Sequence, residues 1–372
     1  MAKDREIQYL GLDLGTTGIK LVYNGGKAQE TIPSYVTIFK DSLLRLKHGG
    51  DVFVGQLGIE KQRYIRADGH GKTGYILNGG RIGDMELAKE ALKYAINKVG
   101  ADKMRLVVAI PVEEMCFQQK NQAAGAENTE AVKSLQQIIS ECEKVDACKV
   151  ISQVDSVAES IGVPGKIPLA MIGDLGGGNS ELKICFGDMY VEEADYRQVN
   201  DKNGKYLAGN WIDELLCGLV MDLRPQYKAK KNFDFEFSKE EAQALKEAYG
   251  FVDGVEGDPI LHNFQKKDTL YRDQTIDVYD AVKNACTAIV EPMADKMQSL
   301  AGTVEAKDQP ILNSNMYFTG RLAQLKGLTG AVEKELAKRG VRNVKIQVLQ
   351  NPNYAGAVGA YQFACECPED KW

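Results

Sequence analysis

Apolar positions mark out most of the elements. Residues 7–14 and 19–23 are two apolar runs on either side of a glycine- and threonine-rich turn, a pattern that predicts two strands joined by a hairpin. Residues 84–98 place Ala88, Leu92, Ala95 and Ile96 on one face behind Asp84, which predicts an amphipathic helix with an aspartate N-cap. The run RLVVAIP at 105–111 is continuously apolar and ends at proline, as a buried strand would. Between 276 and 300 one stripe carries Val282, Cys286, Ile289, Met293 and Met297, predicting a single long helix kinked at Pro292.

The decisive pattern is a repeat. Residues 168–186, PLAMIGDLGGGNSELKICF, again read as an apolar strand, the tripeptide Asp-Leu-Gly, and a second strand. Asp13-Leu14-Gly15 and Asp174-Leu175-Gly176 therefore hold equivalent places in two strand–turn–strand units, one opening each half of the chain. A Walker A loop is excluded, because Lys20 is followed by Leu21-Val22-Tyr23 and not by a hydroxyl residue that opens a helix. Glycine turns of this kind let consecutive backbone N–H groups approach phosphate oxygens with no Cβ in the way. Thr16, Thr17 and Ser180 offer hydroxyl donors, and Lys20 offers a point charge for phosphate. Asp13 and Asp174, each ending a first strand, could together hold the water shell of one Mg²⁺ ion. The alternative is a pair of plain glycine hairpins whose aspartates bond to their own turns.

Composition narrows the field. The 372 residues exceed one ordinary core and predict at least two domains. With 44% hydrophobic and 26% charged residues, the balance is that of a globular protein. The net charge of −6, with no basic run, argues against nucleic acid as a partner. Eight scattered cysteines form no CxxC pair, and the three histidines lie in unrelated contexts, so no metal-ligand pattern emerges. The charged start MAKDREIQ is neither a signal peptide nor an amphipathic membrane helix, and no apolar stretch reaches spanning length. The expectation is a reduced, cytoplasmic protein without direct membrane insertion.

With these motifs in place, the chain resembles the superfamily of actin, heat-shock-chaperone and sugar-kinase ATPases. Residues 13–20 look like its first phosphate motif and 174–181 like its second. SQVDSVAESIGV (152–163) is similar to the first connecting helix, MYFTGRLAQLKGL (316–328) to the adenosine motif, and NPNYAGAVGAYQFA (351–364) to the second connecting helix. The five occur in family order from end to end. LKEAYGFV (245–252) and AGNWIDELL (208–216) are most like bacterial actins.

The resemblance implies an α/β fold of two lobes, with duplicated ribonuclease-H-like cores, a small subdomain inserted in each, and a nucleotide cleft between them. Residues 1–33, 80–165 and 355–372 would form the first core and 34–79 its insertion; 166–225 and 275–354 would form the second core and 226–274 its insertion. It implies ATP or ADP with Mg²⁺ bound through Gly15, Thr16, Thr17, Gly18, Lys20, Gly176, Gly177, Gly178, Asn179, Gly209, Lys246, Glu247, Gly320 and Arg321. Asp13 and Asp174 would hold the metal and take part in catalysis. Asp155 would orient the attacking water; the other reading of Asp155 is as N-cap of the helix through Val157 and Ile161. Three departures stand out: Asn179 and Glu181 replace threonine and aspartate, Arg321-Leu322 follow Gly320 where a second glycine is usual, and Asp155 replaces glutamate or glutamine.

The implied function is a cytoskeletal ATPase that self-associates into nucleotide-dependent filaments, reaching membrane or organelle through adaptor proteins. A role in positioning an organelle such as the magnetosome rests on similarity alone. A monomeric ATPase regulator and a small-molecule kinase of the same superfamily are the alternatives, and for the kinase no substrate pocket or base can be identified. ATP-dependent sedimentation separates the first reading from the other two.

Overall fold

The N-terminal hairpin forms as the apolar runs require, and it founds the first of two sheets built to one plan. The computed structural model describes residues 7–65, 70–78, 81–112, 115, 130–163, 165–186, 196–231, 233–252, 254–255, 257–264 and 274–372. Strands β1 (Gln8–Leu14), β2 (Gly18–Tyr23) and β3 (Ala28–Pro33) run antiparallel in succession. Next come β4 (Tyr35–Phe39), α1 (Ser42–His48), β5 (Val52–Val54), α2 (Gln56–Lys61) and β6 (Gly71–Tyr75). Of these, β5, β4 and β6 form a small sheet of their own, followed by the short pair β7 (Leu77–Asn78) and β8 (Arg81–Ile82). Helix α3 (Met85–Val99) is capped by the Asp84 carboxylate, which accepts from the N–H groups of Glu86 and Leu87. It leads to β9 (Met104–Ile110), whose seven residues are all buried. Helix α4 (Glu130–Ser140), β10 (Val145–Ser152) and α5 (Gln153–Ile161) complete this part of the chain. The order of the first sheet is β10-β9-β1-β2-β3, with β9 parallel to both β1 and β10.

The second sheet repeats that order. Strands β11 (Leu169–Leu175), β12 (Ser180–Phe186) and β13 (Tyr196–Gln198) are followed by α6 (Gly209–Met221), α7 (Arg224–Lys231) and α8 (Lys239–Tyr249). The hairpin β14 (Leu261–Phe264) and β15 (Gln274–Asp277) precedes α9 (Tyr279–Thr287), α10 (Val290–Ala301) and α11 (Gln309–Ser314). Then come β16 (Met316–Thr319), α12 (Leu328–Lys338), β17 (Ile346–Val348) and α13 (Ala355–Glu366). The strand order β17-β16-β11-β12-β13 places a hairpin on one side of the founding strand and two later strands on the other, as in the first sheet. The founding strands β1 and β11 have the same length and sit 161 residues apart, as 8 to 169 and 14 to 175.

The chain divides into two compact units. The first holds Met1–Asp174, Lys183–Asp195 and Leu349–Trp372; the second holds Leu175–Leu182 and Tyr196–Val348. In the first unit the central strands are buried on both faces, which is why they read as unbroken apolar runs and not as alternation. One face packs Leu10, Leu12, Leu106 and Val108 against Leu87, Leu92, Ala95 and Ile96 of α3. The other packs Val107 and Ala109 against Ala360 and Ala364 of α13. Here α13 touches both the sheet and α5 through backbone: a Cβ on Gly11 of β1 would lie 2.2 Å from the Ala357 carbonyl oxygen, and one on Gly359 1.5 Å from that of Ser156 in α5. In the second unit Phe233, Phe235, Phe237 and Phe264 form an aromatic cluster, with the Phe235 and Phe264 rings 4.4 Å apart.

The predicted long helix at 276–300 is two helices, α9 and α10, separated at Ala288 and Ile289. Proline has no N–H for the carbonyl four residues back and its ring clashes with it. Pro292 therefore sits in the first turn of a new helix, where neither matters, and the break falls four residues upstream of the proline. The charged loop around 253–258 lies partly outside the described residues.

Candidate functional site

The first unit gathers its predicted residues around the end of β1. Asp13 is only 4% exposed, and the antiparallel register sets Lys20 of β2 directly opposite it. The Lys20 Nζ donates to Asp13 Oδ2 at 2.7 Å. The other carboxylate oxygen accepts from Gln153 Nε2 at 2.5 Å, and the same amide group reaches the Leu14 carbonyl at 2.9 Å. Asp13 is thus held by a lysine and an amide, not by Asx bonds to its own turn. Gly356 of α13 completes the enclosure, since a Cβ there would lie 3.2 Å from the carboxylate. Burial first, and then the charge of Asp13, raise the Asp174 carboxyl from 3.8 to about 6, while Lys20 opposes the shift. A buried carboxylate whose charge is disfavoured by a second carboxylate beside it favours a cation there.

Both glycine turns close in the same way. The Gly15 N–H donates to the Gly18 carbonyl at 3.1 Å, and the Gly176 N–H to the Asn179 carbonyl at 2.9 Å. A Cβ at Gly15 or Gly176 would come within 2.8 or 2.9 Å of that same carbonyl oxygen, so each turn requires glycine at its first position. In the first turn, Thr17 accepts through its carbonyl from the Ser34 N–H, and the Ser34 hydroxyl donates to the Thr16 carbonyl. These bonds fix the turn backbone and leave both threonine hydroxyls out of its internal pairing.

The second unit joins the other predicted residues. The N–H groups of Gly209 and Asn210, which open α6, donate to the Gly176 and Gly177 carbonyls at 3.1 and 2.7 Å. This helix start has no side-chain cap, and the carbonyls of the second glycine turn take the place of one. Lys246 donates to the Gly209 carbonyl at 2.8 Å and pairs with buried Asp213 at 2.6 Å. Burial pushes the Asp213 carboxyl up, against the pull of Lys246. Its neighbour Glu247 accepts from Arg321 at 3.0 Å, a pair exposed on both sides. Gly320 takes φ +83°, and Lys326 bridges to the 250–252 segment, which fixes the 316–328 segment beside α8. So Arg321, in place of a glycine, turns to Glu247. Asn179 and Glu181 bond to one another at 2.8 Å inside the protein, and Ser180 is fully buried.

Asp155 is engaged elsewhere. Ser152, not Asp155, is the N-cap of α5; its hydroxyl accepts from the Asp155 N–H at 3.0 Å and donates to the Asp155 carboxylate at 2.5 Å. The second Asp155 oxygen takes the buried Lys183 ammonium at 2.5 Å. Two residues earlier, Gln153 is the side chain that reaches Asp13. Sequence reasoning missed Gln153, although the signal was present: a serine followed three residues later by an acid marks a capping pair, which commits Asp155 locally. Gln153 is then left at the junction of β10 and α5.

No group of three His, Cys, Asp or Glu gathers among the described residues, so they hold no all-protein metal cage. Asp13 and Asp174 instead fit Mg²⁺, which keeps most of its waters and takes one or two carboxylates along with phosphate oxygens.

No family model matches the chain. It is 24% identical to the actin-like protein MamK of Magnetospirillum gryphiswaldense, over 98% of this chain and 91% of that one. The identity to MamK of Paramagnetospirillum magneticum is 23%, over 98% and 94%. Among solved structures, the MamK double helical filament matches with a TM-score of 0.75 and 20% identity, covering 98% of this chain and all of that one. MreB5 of Spiroplasma citri bound to ADP matches at 0.66 with 16% identity, over 96% of each. The fold is therefore the two-lobed actin-like fold, with more likeness to MamK than to this MreB.

Proposed function

We propose that this chain is an actin-like cytoskeletal ATPase that binds ATP with Mg²⁺ and polymerises in response. The observation that carries the reading is the doubled turn: two hairpins 161 residues apart close through the same bond, and each follows an aspartate. A doubled glycine turn with hydroxyls and a lysine suits a chain of phosphates. Asp13 and Asp174 would hold the metal, and Mg²⁺ when bound supplies charge neutralisation at the phosphate oxygens. Lys20, already on Asp13, would share its charge with the phosphates. Gly209 at the start of α6 and the Lys246–Asp213 pair would border the rest of the nucleotide, with Glu247 and Arg321 at its outer edge.

For hydrolysis, a water must be held in line with the terminal phosphate. We assign that task to Gln153, because its amide lies on Asp13 beside the first glycine turn, whereas Asp155 is spent on Ser152 and Lys183. Self-association is supported by likeness to a protein solved as a double helical filament. Organelle positioning rests on the likeness to MamK and is tested by imaging a fluorescent fusion in the native cell. Sedimentation and phosphate release, each with and without ATP and Mg²⁺, test the central reading. Nucleotide-dependent pelleting with turnover supports it; turnover in a protein that stays monomeric at every concentration would point to the regulator or kinase alternatives.

A further inference from the structure

Alternate side chains of β9 point to the face of the sheet that α13 covers. Val107 and Ala109 meet Ala360 and Ala364 there, and Arg105 is the next position along the same row. The helix stops at Glu366, so residues 369–372, and not α13, cover the arginine. The Arg105 side chain is only 9% exposed. Its Nη1 and Nη2 donate to the two Glu369 oxygens at 2.5 and 2.6 Å, while its Nε donates to Asp146 at 3.0 Å. The guanidinium also lies 5.6 Å from the centre of the Trp372 ring, which stands 6.5 Å from the Tyr9 ring.

Two features mark this covering segment as a removable occupant. The turn Glu369–Lys371 buries none of its residues, and the Glu369 side chain is 80% exposed although the arginine it pairs with is buried. The Trp372 Nε1 is buried with no acceptor among the described residues, a penalty that the segment sheds on leaving. The groove beneath is part of the sheet. Asp146 keeps hold of Arg105, and Tyr9, Ile151 and Phe363 border the apolar part.

We infer that this groove is a docking site for an acidic–aromatic segment of a partner protein, a glutamate followed three residues later by an aromatic ring, with residues 369–372 as its built-in competitor. The guanidinium fork selects a carboxylate, because two parallel N–H donors fit its two oxygens. An occupant without one would leave the terminal nitrogens of a buried cation unpaired. The wall beside Tyr9 takes the ring, and phenylalanine there buries no unpaired N–H. A segment tethered next to its own site competes at an effective concentration on the order of millimolar. A partner therefore displaces it through a better-matched ring and through contacts beyond the groove.

The chain has two tryptophans, so Trp211→Phe leaves Trp372 as the sole one. In EDTA and without nucleotide, acrylamide quenching of Trp372 is followed as the acetylated peptide PEDKF is added up to millimolar concentrations. Quenching should rise saturably with this peptide, but not with PQDKF or the scrambled KFDPE. Glu369→Gln in the same chain should expose Trp372 without any peptide. By anisotropy of fluorescein-labelled PEDKF, that variant should bind about tenfold or more tightly than the chain with Glu369. Arg105→Lys keeps the charge but not the fork, and should erase the distinction between PEDKF and PQDKF. Circular dichroism verifies that each variant is folded. A Trp372 that stays shielded at every peptide concentration, equal action of PEDKF and PQDKF on the Arg105 chain, or peptide binding indifferent to Glu369→Gln overturns the inference and makes residues 369–372 a fixed part of the fold.

Discussion

Replacing Asp174 by asparagine should stabilise the nucleotide-free protein at neutral pH. The Asp174 carboxyl titrates near 3.8 when unperturbed and at about 6 in the fold, because burial and Asp13 disfavour its charge. Between those values the folded state keeps a proton that the unfolded state has lost, so stability falls as pH rises through the window. A gap of about two pH units, at about 1.4 kcal/mol each, amounts to roughly 3 kcal/mol, present in full above about pH 6.5 and absent below about pH 3.5. Asparagine keeps the shape and removes the charge. Urea titrations of the parent and Asp174→Asn chains over this pH range test the reasoning, since every other titrating group cancels in their difference. The difference should be near zero in acid and grow to roughly 3 kcal/mol in favour of the variant at about pH 7.5. Added Mg²⁺ should then stabilise the parent chain and leave the variant unmoved. A difference that does not change with pH, or a variant less stable than its parent at neutral pH, refutes the raised Asp174 carboxyl.

Other substitutions isolate single features. Gln153→Ala should lower phosphate release by about tenfold or more, whereas Asp155→Asn, which keeps the capping bonds, should retain most of the turnover; the reverse order would return the water to Asp155. Gly359→Ala drives a methyl into the Ser156 carbonyl, and denaturant unfolding should register a loss of about 3 kcal/mol or a failure to fold. Gly218→Ala, in the middle of α6 with no neighbour within 4 Å, should instead gain about 1 kcal/mol. Arg321→Ala breaks an exposed pair and should change stability by less than about 1 kcal/mol, so any shift in ATP or GTP affinity measured by titration calorimetry comes from direct contact with the nucleotide.

Much of this architecture could be read from residue order because it is set by local rules. Asp84 caps its helix and Ala88, Leu92, Ala95 and Ile96 face inward as spacing alone requires. The doubled Asp-Leu-Gly marks two equivalent turns because a close carbonyl admits only glycine there. What local patterning could not supply was the pairing of distant groups. Lys183, 28 residues beyond Asp155, takes that carboxylate, and Gln153 crosses to Asp13, 140 residues earlier. The split at Ala288 was within reach, since the clash of a proline falls on the carbonyl four residues before it. Periodicity continued through the break, and so the stripe read as one helix.

The contact of Gly356 with Asp13 bears on how the chain is made. Asp13 leaves the ribosome long before the helix that walls its carboxylate, which begins at Ala355. At about 5–20 residues per second, synthesis of the intervening chain takes on the order of tens of seconds. Throughout that interval β1 lacks both the α13 backbone against Gly11 and the partner that seats Ser156. A nascent or truncated chain that stops short of α13 therefore has no finished enclosure around Asp13.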